Sequence, residues 1–344
     1  MKVSIENIQD WLNLNDIDYI NDFDLSKKSW LKAGGIIKIF ITPKSFKETI
    51  KLNAFFFKNN INFYILGNIS NTIIRDGVIN TPFINFSKLN KIKELKTKSG
   101  LFIYVEAGVT IPRFAKFVAN KGYTGTEGLL GIPGSMGGGL FMNASSFDNC
   151  ISDYLKKVAS LNYNNRVVFE KKSLINFSWR TSNFQINKNT ILGGYFYFPP
   201  KKFISKVNIE EKYKKLMFYR KKYQEKDLPN LGSLFATKNL YLEIKYNSIL
   251  FFILYIIFKI NNFLFSQNFS TSDKLSKNRS KLISIYNFFL KIKNNKFSVS
   301  TKTINCLVNN GSHNANEAIE FVLKFKKKVK NKVKLENIIL DKIL

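Results

Sequence analysis

Seven glycines fall within fifteen residues of the chain, between Gly125 and Gly139. The residues between them are mostly apolar, whereas a flexible linker carries serine, proline and charges. Glycine allows a backbone to approach a neighbour closely, and a run of unobstructed N–H groups can bind an anion. The segment therefore predicts a buried backbone surface pressed against a large, partly anionic ligand, with helices flanking it.

Arg180 is a second candidate, because it lies among aromatic residues in the segment FSWRTSNF. One interpretation is a surface strand residue. The alternative is a guanidinium with an anionic partner, since an arginine among aromatics is unusual without one. A guanidinium fixed beside a developing negative charge would stabilise that charge during a reaction.

Metal and phosphate-loop chemistry find little support in the sequence. The two cysteines, Cys150 and Cys306, are far apart, and the only histidine, His313, lies in a polar turn. No cluster of metal ligands is therefore expected. The glycine segment also matches neither the G-x-x-x-x-G-K-[ST] loop nor a convincing G-x-G-x-x-G turn.

The elements that would position these residues alternate between strands and helices, which implies an α/β or α+β fold. Pro199 and Pro200 mark a boundary, after which a second, smaller domain is expected. Strands are predicted over 36–41, 61–67, 101–110, 167–170 and 190–198, and helices over 45–58, 111–122 and 208–226.

The net charge of +30 raises the question of nucleic-acid binding. The lysines are spread along the whole chain, consistent with A/T-rich codon usage, and no nucleic-acid-binding motif is visible. We expect no nucleic-acid partner, and a diffuse positive field that favours small anionic substrates.

The stretch 249–265 is strongly apolar, but Lys259 and two asparagines interrupt it. A spanning helix needs about 20 apolar residues. A buried helix or one on a membrane surface is favoured over a spanning one. The N-terminus lacks a secretory pattern, so a cytoplasmic location is expected.

The glycine segment closely resembles a known flavin-binding loop. Gly131-Ile132-Pro133-Gly134-Ser135-Met136-Gly137-Gly138, followed by Met142-Asn143-Ala144, resembles that of the UDP-N-acetylenolpyruvoylglucosamine reductase family. Further resemblances follow in order: Gly34-Gly35, Leu66 to Asn71, Val105 to Gly108, Phe177 to Phe184, Pro229 to Phe235, Leu307 to Asn309 and Val333 to Glu336. They cover about 28–242 and 296–340, and 243–290 looks like an insertion.

The resemblance implies an α+β fold with a two-subdomain, vanillyl-alcohol-oxidase-type FAD domain over 28–200. A smaller substrate domain over 201–344 would follow, and 1–27 would form an N-terminal segment. It also implies an enzyme of peptidoglycan precursor synthesis that uses NADPH and FAD to reduce a nucleotide-sugar enolpyruvyl ether.

The same resemblance implies roles for individual residues. Arg180 would hold the substrate carboxylate and enolate, and the Ser233 hydroxyl would deliver a proton to C2. The implied FAD-binding residues are Gly67, Ser70, Asn71, Gly134, Ser135, Gly137, Gly138 and Asn143.

The chain departs from the family pattern at two main positions. Ile69 replaces a glycine of the pyrophosphate turn, and Ile338 occupies the position of a glutamate that assists proton delivery. Glu336 could substitute through a shifted backbone, the remaining network could work without it, or activity could be impaired. Two other functions therefore stay open: an FAD-dependent oxidase of the same fold, and a weakly active flavin-binding homologue.

Overall fold

The computed structural model describes residues 3–187, 189–237 and 296–341, together with 240, 243, 244, 253, 256, 257 and 260. The expected insertion at 243–290, with its apolar stretch 249–265, lies largely outside the described residues. Four isoleucines of that stretch are described, and all are exposed: Ile253, Ile256, Ile257 and Ile260. Within the described part of the chain, no helix has the length and apolar character needed to cross a bilayer.

Helices and strands alternate through the first two thirds of the chain. The helices are α1 (Ile5–Leu14), α2 (Leu25–Lys28), α3 (Phe46–Lys58), α4 (Ile111–Asn120), α5 (Met136–Met142), α6 (Phe184–Asn187), α7 (Lys206–Tyr223) and α8 (Ala315–Lys328). The strands are β1 (Tyr19–Asp24), β2 (Ile36–Ile41), β3 (Tyr64–Leu66), β4 (Thr72–Ile74), β5 (Val78–Ile79), β6 (Phe83–Asn85), β7 (Ile92–Leu95), β8 (Leu101–Glu106), β9 (Ser145–Ser146), β10 (Asn149–Cys150), β11 (Leu155–Leu161), β12 (Val167–Lys171), β13 (Thr190–Phe198), β14 (Asn230–Ser233), β15 (Phe297–Val299), β16 (Cys306–Asn309) and β17 (Ile338–Leu340).

A mixed sheet forms the N-terminal layer, in the order β1-β2-β6-β3 with β5 also paired to β2. Ser45 caps α3 by accepting a hydrogen bond from the Glu48 N–H, as the sequence predicted. Leu52 and Phe56 on the buried face of α3 pack with Ile39 and Ile41 of β2.

An antiparallel sheet forms the second layer, in the order β12-β11-β13-β8-β7. Phe114 of α4 packs against Phe196 and Phe198 of β13. The predicted strand 101–110 ends earlier, at Glu106, because the Val109 N–H bonds back to the Glu106 carbonyl in a turn. This turn brings Ala107 against the glycine-rich helix α5.

A third, smaller sheet has the order β14-β16-β15, and α8 packs on it. Its apolar cluster also includes Leu31, Ala33 and Ile73 from the N-terminal part of the chain. The C-terminal strand β17 pairs in parallel with β4, in the register Ile338 to Thr72. The end of the chain therefore returns to the loop that follows β3, which the sequence patterns did not predict.

Candidate active site

A cavity of about 2010 Å³ lies among the three sheets. Typical small-ligand sites measure about 300–1,000 Å³, so this one has room for a dinucleotide together with a second ligand. Most of the predicted site residues line it: Arg180, Ser233, Gly67, Ser70, Asn71, Gly134, Ser135, Gly137 and Gly138. Asn143 does not line the cavity and is buried instead at the C-terminal end of α5.

Two glycine-containing segments form one wall of the cavity. Ser135 caps α5 by accepting from the Gly138 N–H, and Asn68 Nδ2 donates to the Pro133 carbonyl across the gap between the segments. A side chain at Gly67 would place its Cβ 2.6 Å from Ser135 Oγ. Bare backbone at Gly67 is therefore what lets the segments approach.

Gly138 is open on its other side. A Cβ there would meet only Ser135 Oγ, at an ordinary 3.5 Å, so the protein itself does not fill that space. The backbone surface at Gly138 instead faces the cavity, where a ligand can approach it.

Arg180 is presented by a tight turn in a left-handed conformation, with φ of 58°. Asn143 Nδ2 donates to the Ser178 carbonyl, and Ser182 Oγ donates to the Phe141 carbonyl at 2.7 Å. These bonds fasten the turn to the C-terminal end of α5. Non-glycine residues rarely adopt this backbone conformation, and such strain clusters at functional sites.

Glu336 is an anionic partner of Arg180 within the protein, a contact that the sequence analysis did not predict. Arg180 Nε lies 2.9 Å from Glu336 Oε1, in an ion pair without the alignment of a hydrogen bond. The two side chains are 19% and 13% exposed, so the pair is shielded from solvent. Burial raises the pKa of the Glu336 carboxyl, and the Arg180 guanidinium offsets part of that rise.

Ser233 is exposed at the end of β14, after Gly232 in a left-handed conformation. It pairs with Cys306, whose pKa is raised to about 12 by burial, so this thiol stays neutral. Residues 334–337 run antiparallel to 233–236, because the Glu336 N–H donates to the Leu234 carbonyl and the Ala236 N–H to the Lys334 carbonyl. Ser233 and Glu336 therefore lie on adjoining segments of the cavity wall.

Residues 37–168 match the model of an FAD-binding domain. A UDP-N-acetylenolpyruvoylglucosamine reductase of Lactobacillus acidophilus is 33% identical over 65% of this chain and 73% of the relative. The same enzyme of Shouchella clausii is 30% identical over 65% of this chain and 70% of the relative. The chain belongs to the UDP-N-acetylenolpyruvoylglucosamine reductase family.

A solved structure of this reductase family has the same fold as this chain. The crystal structure of the Thermus caldophilus enzyme superposes with a TM-score of 0.65, covering 94% of this chain and 98% of that one, at 19% identity. The predicted α+β fold with a vanillyl-alcohol-oxidase-type FAD domain is confirmed.

The first departure from the reductase pattern is Ile69, which has a backbone conformation that suits the glycine it replaces. Ile69 has φ of 51°, in the left-handed region that suits glycine. Its side chain is buried in an apolar cluster with Leu66 and Ile74. The turn is therefore retained, and burial of the side chain offsets a backbone cost of about 1–2 kcal/mol.

The second departure is Ile338, which lines the cavity but has no side-chain group that can carry a proton. Ile338 begins β17, where its N–H donates to the Asn71 carbonyl. Among the described residues, Glu336 is the carboxylate that reaches Arg180, two positions before the one that the family pattern indicates.

Arg220 of α7 is a cavity residue that the sequence analysis missed. Its buried guanidinium donates to the carbonyls of Gly128 and Gly131 and to Ser146 Oγ, so it anchors the glycine segment. Burial lowers its pKa. Residue rarity was an available signal: the chain has six arginines among its 54 basic residues, and both Arg180 and Arg220 line this cavity.

Proposed function

We propose that this protein uses NADPH and FAD to reduce UDP-N-acetylglucosamine enolpyruvate to UDP-N-acetylmuramate, a step of peptidoglycan precursor synthesis. One observation carries the proposal. In a chain of this family, one cavity brings together the Arg180–Glu336 pair, Ser233 and the glycine backbone.

The residues present fit FAD. Gly138 leaves a backbone surface open to the cavity, Gly67 lets the two segments of that wall approach, and the wall is completed by Ser70, Asn71, Gly134, Ser135 and Gly137. Asn143 would act indirectly, by fixing the Arg180 turn. When bound, FAD accepts a hydride from NADPH and supplies one to C3 of the enolpyruvyl group.

Arg180 would stabilise the charge that develops when C3 gains a hydride, because the electron pair of the double bond then moves through C2 into the carboxylate. A planar guanidinium can hold both carboxylate oxygens. Its turn is fixed before substrate arrives, so little reorganisation is needed during the reaction. Glu336 keeps the buried guanidinium charge paired in the absence of substrate.

Ser233 would donate its hydroxyl proton to C2, which completes the addition of one hydride and one proton across the double bond. A serine hydroxyl is a weak acid, so it needs close alignment and a neighbour that restores its proton. Glu336 suits that second task once a substrate carboxylate shares the Arg180 guanidinium, because burial raises the pKa of the Glu336 carboxyl and Arg180 then offsets less of that rise.

The nucleotide-sugar substrate and NADPH are both anionic, which agrees with the charge of +30. We further propose a cytoplasmic enzyme without a nucleic-acid partner. The boundaries 1–27, 28–200 and 201–344 and the insertion at 243–290 remain predictions. A membrane-surface role for 249–265 also remains open but is not favoured.

Visible absorption of the purified protein tests for the flavin, and rapid mixing then tests each half-reaction. We expect NADPH to bleach the flavin and UDP-N-acetylglucosamine enolpyruvate to restore its absorbance in the absence of oxygen. Bleaching without restoration would favour the weakly active homologue. Bleaching by a simple alcohol would favour an oxidase.

A further inference from the structure

Asn337 is a buried asparagine between the two candidate catalytic segments, and its exposed fraction is 5%. Its side-chain Nδ2 donates to Asn71 Oδ1 at 2.7 Å and shares its other hydrogen between the carbonyls of Ser233 at 3.2 Å and Leu231 at 3.3 Å. One side chain thus contacts the loop after β3 and both ends of the turn that carries Ser233.

The hydrogen bonds around Asn337 form a network that joins it to Asn71 and to its own two neighbours in the chain. Asn71 Nδ2 donates to the Glu336 carbonyl, and Asn71 in turn accepts from the Ile338 N–H. Asn71 is therefore bonded to each residue that flanks Asn337 as well as to Asn337 itself. Movement of the Ser233 strand away from Asn71 would break the bonds of Asn337 to the Leu231 and Ser233 carbonyls together.

The position of Ser233 depends on such bonds because its own side chain makes no hydrogen bond to the part of the chain that the structure describes and is exposed to the cavity. Its hydroxyl is placed only by its backbone, next to a glycine at φ of 70°. A buried amide that bonds to the Ser233 carbonyl restrains this backbone, and a displacement of about 1 Å can cost about 10²-fold in rate.

We propose that Asn337 is a positioning residue that holds the Ser233 hydroxyl at a fixed distance from the cavity wall that contains Gly67 and Gly138. It acts through the Ser233 carbonyl and through Asn71. The inference rests on the proposed function, because it assigns Asn337 to the proton-delivery half of that reaction.

The test replaces Asn337 with leucine, which has a similar size and no hydrogen-bond donors. Asn309→Leu is the matched control. Asn309 is also buried, at 2% exposure, and its amide also donates to backbone carbonyls, but these belong to Leu31 and Ser312 and not to the Ser233 strand. Both variants are compared with the parent at equal concentrations of folded, flavin-loaded protein.

We expect Asn337→Leu to slow restoration of flavin absorbance by substrate about 10²-fold, while bleaching by NADPH changes less than about 2-fold. Asn309→Leu should lower thermal stability and leave both rates near the parent. If Asn337→Leu fails to fold, Asn337→Ser, which keeps one donor, should show a smaller slowing of the same half-reaction.

Equal slowing of both half-reactions, or the same rates in the Asn337 and Asn309 variants, would overturn the inference. Failure of the parent itself to be reoxidised by substrate would instead overturn the proposed function.

Discussion

The guanidinium of Arg180 is positioned by the protein before substrate binds. Its turn is tied to α5, and its partner Glu336 comes from the other end of the chain. A guanidinium and an ammonium carry the same charge, but only the guanidinium offers two parallel donors. The proposed role depends on this fork as well as on the charge.

Arg180→Lys tests that distinction. We expect NADPH to bleach the flavin normally, because that step needs no charge at the enolpyruvyl carboxylate. Restoration by substrate should lose about 2–4 kcal/mol of barrier stabilisation, the scale of one oxyanion donor. Rapid-mixing absorbance measures both rates. Arg113→Lys, at an exposed arginine outside the cavity, is the control, and normal turnover in Arg180→Lys would remove Arg180 from the mechanism.

Glu336 predicts a pH dependence. Its pKa is raised above the usual 4.5, chiefly by burial. Restoration by substrate should decline as pH rises through this raised pKa, because the carboxyl then loses the proton it supplies. Glu336→Gln should be slower and lack this decline. The exposed Glu320 provides the control Glu320→Gln.

The same shift predicts the sign of a stability change. The folded protein binds this proton more tightly than the unfolded chain, so its contribution is fully present below the unfolded-state pKa and is lost as pH rises through the folded-state pKa. Urea denaturation should show a smaller loss of unfolding free energy across this window in Glu336→Gln.

The rates of two variants decide which position delivers the proton. A faster restoration by substrate in Ile338→Glu, with the rate of Glu336→Gln unchanged, would assign proton delivery to position 338 instead.

At the scale of elements, the loop between β3 and β4 shows how a strained turn survives a substitution. Ile69 keeps a left-handed backbone because its buried side chain is held by the cluster around Leu66 and Ile74. The shape of the turn is therefore set by its surroundings, even though isoleucine disfavours it.

Ile69→Gly and Ile69→Ala both remove the buried side chain, but only glycine relieves the strain. We expect Ile69→Gly to be more stable than Ile69→Ala by about 1 kcal/mol. Ile74, in β4, should show the opposite order, with glycine less stable by about 0.5–1 kcal/mol. Urea denaturation of the four variants measures this, and the same order at both positions would contradict a strained Ile69.

The N-terminal half of α5 allows ligand binding to be separated from packing. Gly138→Ala adds a methyl group that the protein accommodates at 3.5 Å, whereas at Gly139 it would press on Ile111 Cδ1 at 2.9 Å. We expect Gly138→Ala to fold normally and bind FAD weakly, and Gly139→Ala to lose stability. Flavin absorbance per folded protein and thermal melting are the measurements. Full flavin occupancy in Gly138→Ala would place the cofactor elsewhere.

For the whole molecule, the charge of +30 is the dominant feature. Its field should raise the local concentration of anionic substrates, and salt should screen it. The screening length falls from about 30 Å at 0.01 M to about 8 Å at 0.15 M ionic strength. Capture of both NADPH and the nucleotide sugar should therefore depend on salt.

We expect kcat/KM for NADPH to fall about 10-fold between these ionic strengths, while kcat changes little. Steady-state NADPH oxidation at saturating nucleotide sugar measures both. Potassium acetate and potassium chloride at equal ionic strength separate screening from specific anion binding. A kcat/KM independent of salt would show that the charges are too dispersed to act on the cavity.

The sequence by itself determined the features that depend on neighbouring residues. Strand 36–41 and the Ser45 cap of α3 follow from local pattern. The glycine segment and the order of the family motifs indicated FAD and the fold. These features can be predicted because the residues that produce each one lie within the same short stretch of sequence.

Local pattern was less accurate where an element ends. The predicted helix 208–226 runs from Lys206 to Tyr223, because Ser205 caps its start and the chain after Gln224 turns away. The short strand that carries Ser233 was not predicted, since its pairing partner Cys306 lies far along the chain.

Only the tertiary structure decided which groups meet in the cavity. The contact of Glu336 with Arg180, the bonds of Asn337 to Ser233 and Asn71, and the anchoring of the glycine segment by Arg220 all join distant parts of the chain. Their geometry depends on the pairing of β17 with β4, which fixes where residues 336–338 lie. A register shift of one residue would turn the opposite side chains toward the cavity, so this outcome could not be read from spacing alone.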